Sequence, residues 1–252
     1  MSDVMILIPA RSGSTRVNNK NIRVFGDKPL VGHIIASAKE SNIGRVIVST
    51  NSNEIAEVAR SYGADVPFLR PREFSDEYAS SVWCILHALE WFKEKENWVP
   101  EIVAFCPPTN PFLSYQTIKD MVGLLYQTDK VNSIVTITEP QDHPFGIVNL
   151  EKDNKLIIGL LSIEGKTIKD IERSQDWPKV WKGSAACRIT RSSFFFSLMD
   201  NSKSIKNIKY TNTYDRNNCI GFKIDYLQNF DIDTELDWLL GEHLYVAAKQ
   251  DD

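Results

Sequence analysis

The chain has 252 residues, with 29 basic and 33 acidic side chains and a formal net charge of −4. That balance lacks the basic surplus of a protein that grips nucleic acid. A composition of 42% apolar and 25% charged residues excludes disorder as the main state. In chain order, Val4-Met5-Ile6-Leu7-Ile8 is continuously apolar, as a strand buried on both faces must be. Asp3 and the early stop at Pro9 argue against a signal peptide. A polar, basic loop follows through residue 21. Residues 45–49 form the next apolar run, and Asn51 with Glu54 reads as a capping box opening a helix whose face is Ile55, Val58, Ala59 and Tyr62. Val82, Ile85, Leu86, Leu89 and Phe92 form a second helical face, and residues 102–106 a third strand. Ile118, Met121, Val122 and Leu125 form another face, before a strand at residues 133–137.

This alternation predicts βαβ units in a mostly parallel sheet flanked by helices. The rhythm breaks at residues 139–182, which read as a charged inserted lobe with short β-like runs such as Leu156-Ile157-Ile158. Core strands resume at residues 184–190 and 220–224. Thr234 then caps a last helix, whose predicted buried face is Leu236, Leu239, Leu240 and Leu244. The whole reads as one α/β domain over residues 1–252. No window reaches the roughly 18 apolar residues of a membrane span. Cys84, Cys106, Cys187 and Cys219 lack C-x-x-C spacing, so reduced thiols and a cytoplasmic setting are expected. The four histidines are scattered, with His87 and His243 inside helical stripes, and the six tryptophans form no stacking array.

Two segments carry chemistry. Ligands of open α/β sheets bind beyond the carboxyl ends of the strands, which is where residues 9–21 lie. This loop is rich in small residues, so its amides can approach a ligand, and it holds Arg11, Arg16 and Lys20. It reads as a polyphosphate cradle or as a solvated polar turn; it is neither a Walker loop nor a G-x-G-x-x-G fingerprint. Near the other end, Asp231 and Asp233 alternate at i and i+2, which puts both on one side of an extended segment. The pair reads as a metal site or as a helix cap.

The string I-P-A-R-S-G-S-T-R-V-N-N-K-N at residues 8–21 resembles the signature of the acylneuraminate cytidylyltransferase family. The resemblance continues in order through residues 46–50, 54–56, 62–64 and 66–71, then 79–81 and 86–90, Pro108-Thr109-x-Pro111 and Asp231-Ile232-Asp233-Thr234-Glu235-x-Asp237. It is good over residues 1–140 and 223–252 and loose between. It implies a Rossmann-like nucleotidyltransferase fold and transfer of CMP from CTP to the anomeric hydroxyl of a sialic-acid-like, nine-carbon 2-keto sugar acid, with release of pyrophosphate. By analogy Arg11 and Lys20 neutralise phosphates, and Ala10, Gly13 and Ser14 line the cradle. Asn21, Arg70 and Ser81 complete the nucleotide pocket, and Asp231 and Asp233 hold Mg²⁺. Thr109, Gln175 and Lys182 face the sugar, Lys182 as a cation for its carboxylate. The resemblance further implies a homodimer, in which residues 139–182 reach across to the partner's sugar site; Trp177 and Trp181 suit such an interface.

The chain departs from that pattern in places. Thr15 stands for Lys, Asn18 for Pro, Pro107 for Gln and Leu113 for Arg, while Val180-Trp181-Lys182-Gly183 replaces Arg-x-Asn-Gly. Residues 14–17 also resemble the loop of the Kdo cytidylyltransferases. These changes point from plain N-acetylneuraminate toward pseudaminic acid, legionaminic acid or another nonulosonate. Three alternatives stand beside this reading: a Kdo-type cytidylyltransferase, a glycosyltransferase using Asp-x-Asp, and a nucleotide-binding relative without turnover.

Overall fold

A run of five apolar residues has no face to offer water, and β1 (Val4–Pro9) accordingly lies inside a six-stranded sheet. The computed structural model describes residues 3–76, 78–150, 156–159, 161–200, 202 and 204–250. After β1 come β2 (Val24–Phe25), β3 (Lys28–Pro29), α1 (Leu30–Ser41), β4 (Arg45–Ser49), α2 (Asn53–Ser61), α3 (Ser81–Lys95) and β5 (Ile102–Phe105). Then follow α4 (Tyr115–Tyr126), β6 (Ser133–Thr138), β7 (Asn149–Leu150), β8 (Leu156–Ile157), β9 (Lys182–Arg191), α5 (Ser192–Asp200), β10 (Cys219–Lys223) and α6 (Glu235–Ala248). The strand order is β10-β6-β9-β5-β1-β4. Strands β4, β1 and β5 run parallel, as do β10 and β6, while β9 is antiparallel to both its neighbours.

Alternation along the strands divides the core. Ile6 and Ile8 face α1, α2 and α4, while Met5 and Leu7 face α3 and α5. Helices α2, α3 and α4 are each fixed by burial of one stripe, at roughly 1.5–3 kcal/mol per fully buried large apolar side chain. A third cluster stands apart from the sheet: Val17, Phe25, Leu30, Ile232 and Trp238, with Phe112, Phe230 and Tyr245 packed on it. It joins the chain that follows the basic loop to the start of α6.

Three expectations change. The N-cap of α2 is Ser52, whose hydroxyl accepts from Ile55 N–H, and not Asn51. The leucines of α6 face outward, with Leu236 65% and Leu239 56% exposed. Trp238 and Gly241 are buried in their place, because a helix without a Cβ at 241 can sit directly on Phe25 and Phe230, which an added Cβ would meet at 2.9 Å. Trp177 and Trp181 are half-buried in their own chain: Trp177 packs on His143 and Phe145, and Trp181 lies under Lys179 and Lys223.

Between β6 and β9 the described residues of the expected lobe at residues 139–182 form short elements only. They are the antiparallel β7–β8 pair and 3₁₀ turns at Pro144–Gly146, Ile168–Asp170 and Ser174–Asp176. Residues 151–155 and 160 of that lobe lie outside the described residues. No helix among the described residues is long and apolar enough to cross a membrane.

Candidate active site

The carboxyl ends of β1, β4, β5, β6 and β10 and the start of antiparallel β9 meet along one edge of the sheet. The basic loop leaves β1 there. Ala10 is buried and its N–H donates to Ser49 O at 3.0 Å. Asn51 Oδ1, released from capping, accepts from Ser12 N–H at 2.9 Å, and buried Asn21 donates from Nδ2 to Arg11 O at 2.8 Å. Between these tethers Gly13 adopts φ +78°, a left-handed conformation that favours glycine and turns successive amides outward. Gly13, Ser14, Lys20 and Asn21 line one small recess with Arg11. Arg11 also lines a neighbouring recess of about 170 Å³ with Arg70, Phe74, Ser80 and Ser81. Arg70 is buried, and its Nε and Nη2 have no hydrogen-bond partner among the described residues. Buried donors are normally satisfied, so two orphans beside a cavity mark a place for an acceptor.

The acidic pair is brought to the same edge from the far end of the chain. Ile232 points into the third cluster, its N–H donates to Thr109 O at 2.8 Å, and its carbonyl accepts from Lys20 Nζ at 2.8 Å. Asn110 Nδ2 donates to Phe230 O at 3.0 Å. These bonds fix the backbone on either side of Asp231 and Asp233. Asp233 Oδ1 receives Arg16 Nη2 at 3.2 Å and Lys20 Nζ at 3.4 Å. Burial pushes the Asp231 carboxyl above the ordinary range against the Thr109 hydroxyl that bonds it, and Asp231 Oδ1 is a buried oxygen without a hydrogen-bond partner. The cap of α6 is made without either residue. Thr234 accepts from Asp237 N–H, and Asp237 Oδ2 takes Thr234 N–H, Thr234 Oγ1 and Asp233 N–H. The capping alternative for the pair is therefore already filled by its neighbours.

A cleft of about 710 Å³ opens beside Asp231, lined by Glu139, Asp142, Lys182, Ser184, Tyr226 and Asp237 among others. Of the expected sugar contacts, Lys182 lies in this cleft and Thr109 adjoins it through Asp231. Gln175 is exposed in the 174–176 turn with its amide against the Arg173 guanidinium, and its own chain does not bring it to the cleft. Pattern reading passed over Asn51, whose polar side chain looked like a cap, and Arg188, a charge standing in β9 between the apolar Cys187 and Ile189. Arg188 shares its strand with Lys182 and Arg191, so no local signal singled it out.

Among the described residues no three or more His, Cys, Asp or Glu side chains converge as a metal cage. Mg²⁺ needs none, since it is commonly held by one or two carboxylates plus substrate phosphates and water. The unpartnered Asp231 oxygen beside Asp233 fits that donor set.

Residues 5–157 match the family model described as Cytidylyltransferase. The CMP-N,N'-diacetyllegionaminic acid synthase of Legionella pneumophila is 27% identical over 248 residues, covering 96% of this chain and 95% of that protein. The pseudaminic acid cytidylyltransferase of Campylobacter jejuni is 39% identical over 116 residues, covering 46% of this chain and 50% of that protein. Among solved structures, CMP:2-keto-3-deoxy-manno-octonic acid synthetase complexed with CTP superposes with a TM-score of 0.69 at 12% identity, covering 97% of this chain and 99% of that one.

Proposed function

Because the chain belongs to the cytidylyltransferase family, we propose that it transfers CMP from CTP to the anomeric hydroxyl of a nonulosonic acid and releases pyrophosphate. The observation that carries the reading is the convergence, at one sheet edge, of the Arg11–Lys20 loop with Asp231 and Asp233. The chemical obstacle is charge: an oxygen nucleophile must approach a triphosphate, and a pyrophosphate must leave. Positioned cations and donors meet it without a covalent intermediate. Arg11, Lys20 and the amides at Gly13 and Ser14 hold the phosphates. Asn21 keeps the loop in shape through Arg11 O. Arg70 and Ser81 take the nucleoside. Asp231 and Asp233 would hold Mg²⁺, which when bound supplies charge stabilisation at the transferring phosphoryl group.

The sugar occupies the 710 Å³ cleft against Lys182 and Thr109. The legionaminate relative aligns across the whole chain, lobe included, whereas the pseudaminate relative aligns over half of it. That favours a legionaminic-type acid as the first sugar to test. The Kdo-type alternative is less supported: the octulosonate relative of Pasteurella multocida is 28% identical over 144 residues, 56% of this chain, and the likeness of fold to the solved octonic acid synthetase is at 12% identity. A relative without turnover would not need both basic loop and acidic pair intact. The outward leucines of α6 and the exposed Gln175 support a homodimer in which the lobe serves the partner's site. The free cysteines suit the cytoplasm.

Pyrophosphate release decides the matter. With Mg²⁺, we expect release from CTP, and not from UTP, GTP or ATP, in the presence of N,N'-diacetyllegionaminate, pseudaminate or N-acetylneuraminate. Release with Kdo alone moves the assignment to the octulosonate class. No release with any pair, alongside tight CTP binding, would establish the relative without turnover.

A further inference from the structure

Cys187 and Ile189 of β9 pack on the face covered by α1, α2 and α4, so strand alternation sends Arg188 to the other face. There it lines a recess of about 140 Å³ with Ser81, Thr211, Asn212, Thr213 and Tyr214. Arginines that serve the fold have found carboxylates: Arg45 reaches Glu96 at 2.6 Å and Arg191 reaches Glu101 at 2.8 Å. Arg188 has no such partner among the described residues. Its mapped neighbour is the Tyr214 ring, 5.9 Å from Cζ, and burial pulls the guanidinium below the usual arginine range. The Asp231 charge acts on it only from beyond ion-pair reach, and a half-withdrawn cation with no carboxylate in contact is costly and persists where a ligand supplies one.

Its position is the junction of the site. Ser81 is shared with the recess of Arg11 and Arg70, and Ser184 and Ala185 of the same strand line the sugar cleft with Asp231. Ser81 also opens the fifteen-residue helix α3, whose amino end adds positive potential. The recess has room for a carboxylate with water.

The chemistry of the substrate selects among the cations. In a 2-keto sugar acid the carboxylate is bonded to the anomeric carbon that carries the attacking hydroxyl. It therefore stays within a few bonds of the reacting oxygen, at the junction and not at the cleft mouth. Lys182 is exposed, and the cleft it lines also holds Glu139, Asp142, Asp231 and Asp237. That lining suits sugar hydroxyls and amides and repels a carboxylate. Resting on the cytidylyl-transfer reading above, we infer that Arg188 is the residue that grips the carboxylate of the sugar acid, in a bidentate pair of the kind arginine forms best.

The test compares the nonulosonic acid that the wild type uses best with its C1 carboxamide, in full-length wild type, Arg188→Met and Arg188→Lys. The wild type is expected to prefer the acid by roughly a hundredfold or more in kcat/KM. In the Met variant that preference collapses to within about threefold, through a loss on the acid alone, while the CTP KM changes less than about threefold. The Lys variant, which keeps a point charge, is expected to fall between. Undiminished acid preference in the Met variant overturns the inference, as does a loss that falls on the CTP KM. If the Met variant melts far below the wild type, the Lys variant decides: full retention of the preference there assigns Arg188 a structural role. Absence of turnover in the wild type with every acid sinks the functional reading, and this inference with it.

Discussion

Asp231 is held where a carboxylate is least favoured, and the sign of its effect on stability follows. Its folded pKa lies above the ordinary value because burial disfavours the charge. As pH rises, the unfolded chain loses this proton first, so stability falls through the interval between the two pKa values and the penalty stays in force above it. Asp231→Asn removes the penalty. In chelator at pH 7 its melting temperature should equal or exceed that of the wild type, with the gap closing toward pH 4, while turnover falls roughly a hundredfold or more. A clear drop in melting temperature at pH 7 would show the carboxylate to be stabilising. Asp233→Asn should likewise abolish Mg²⁺-dependent turnover with the fold intact, and near-normal activity there would end the metal assignment. His87 works with the opposite sign. Burial and the nearby Arg70 charge pull its pKa down to about 4. The unfolded chain takes up this proton near pH 6.5 and the folded chain does so only near 4, so stability is complete above 6.5 and is lost as pH falls. Melts between pH 7 and 4 should show the loss, on the order of 1 kcal/mol after discounting for solvent screening, and His87→Leu should flatten it. An equal slope in the two proteins would remove His87 as the cause.

At the scale of elements, the strands were the most legible part: β1, β4, β5 and β6 are largely buried and leave apolar runs, and β9 and the more exposed edge strand β10 also fall on expected segments. Direction was not legible, since composition is blind to chain sense, and β9 turned out antiparallel. Helices with one stripe, α2, α3 and α4, were legible for the same physical reason. Helix α1 was not: Leu30 to Ile35 are all buried, which erases the stripe, and Pro29 gives no side-chain cap. The face of α6 was misread because leucines were weighed above Trp238 and a glycine that permits close packing. Its cap was legible, and the cap does two jobs. Thr234 and Asp237 close the helix end, and Asp237 Oδ2 also holds Asp233 N–H at 3.1 Å. Thr234→Ala and Asp237→Ala should each cost about 1 kcal/mol in thermal or urea unfolding. Only the second releases the Asp233 backbone, so turnover should fall further in Asp237→Ala. Equal turnover in variants that melt alike would show that the bond to Asp233 N–H plays no part in the chemistry.

Across the whole molecule, the site is a meeting of distant segments, and that decides what sequence could reveal about it. The basic loop and the acidic pair each carry a local string, so each was legible alone. That they serve one site was legible only through the family resemblance, and the contact of Lys20 with Ile232 O and Asp233 was not legible at all. Arg188 and the tether at Asn51 carry no string, because their significance lies in what surrounds them in space. The piece that makes the meeting durable is the third apolar cluster. Trp238 is fully buried, meets the Phe25 ring edge-on at 5.5 Å and is covered by the Arg23 guanidinium 4.2 Å above it. Phe25 belongs to the hairpin that follows the basic loop, and Trp238 to the helix that follows the acidic pair. The cluster therefore clamps cations and carboxylates into register without touching a substrate. Trp238→Ala should cost about 3–5 kcal/mol, a fall of roughly 10 °C or more in melting temperature for a chain of this length. Well below that temperature, where the variant is folded, kcat/KM should still fall at least about tenfold, since an ångström of slack between the loop and the acidic pair degrades phosphate positioning. Trp238→Phe, which keeps most of the ring packing, should recover most of both. A variant that melts early yet turns over normally in the cold would show that the basic loop and the acidic pair find each other without the clamp.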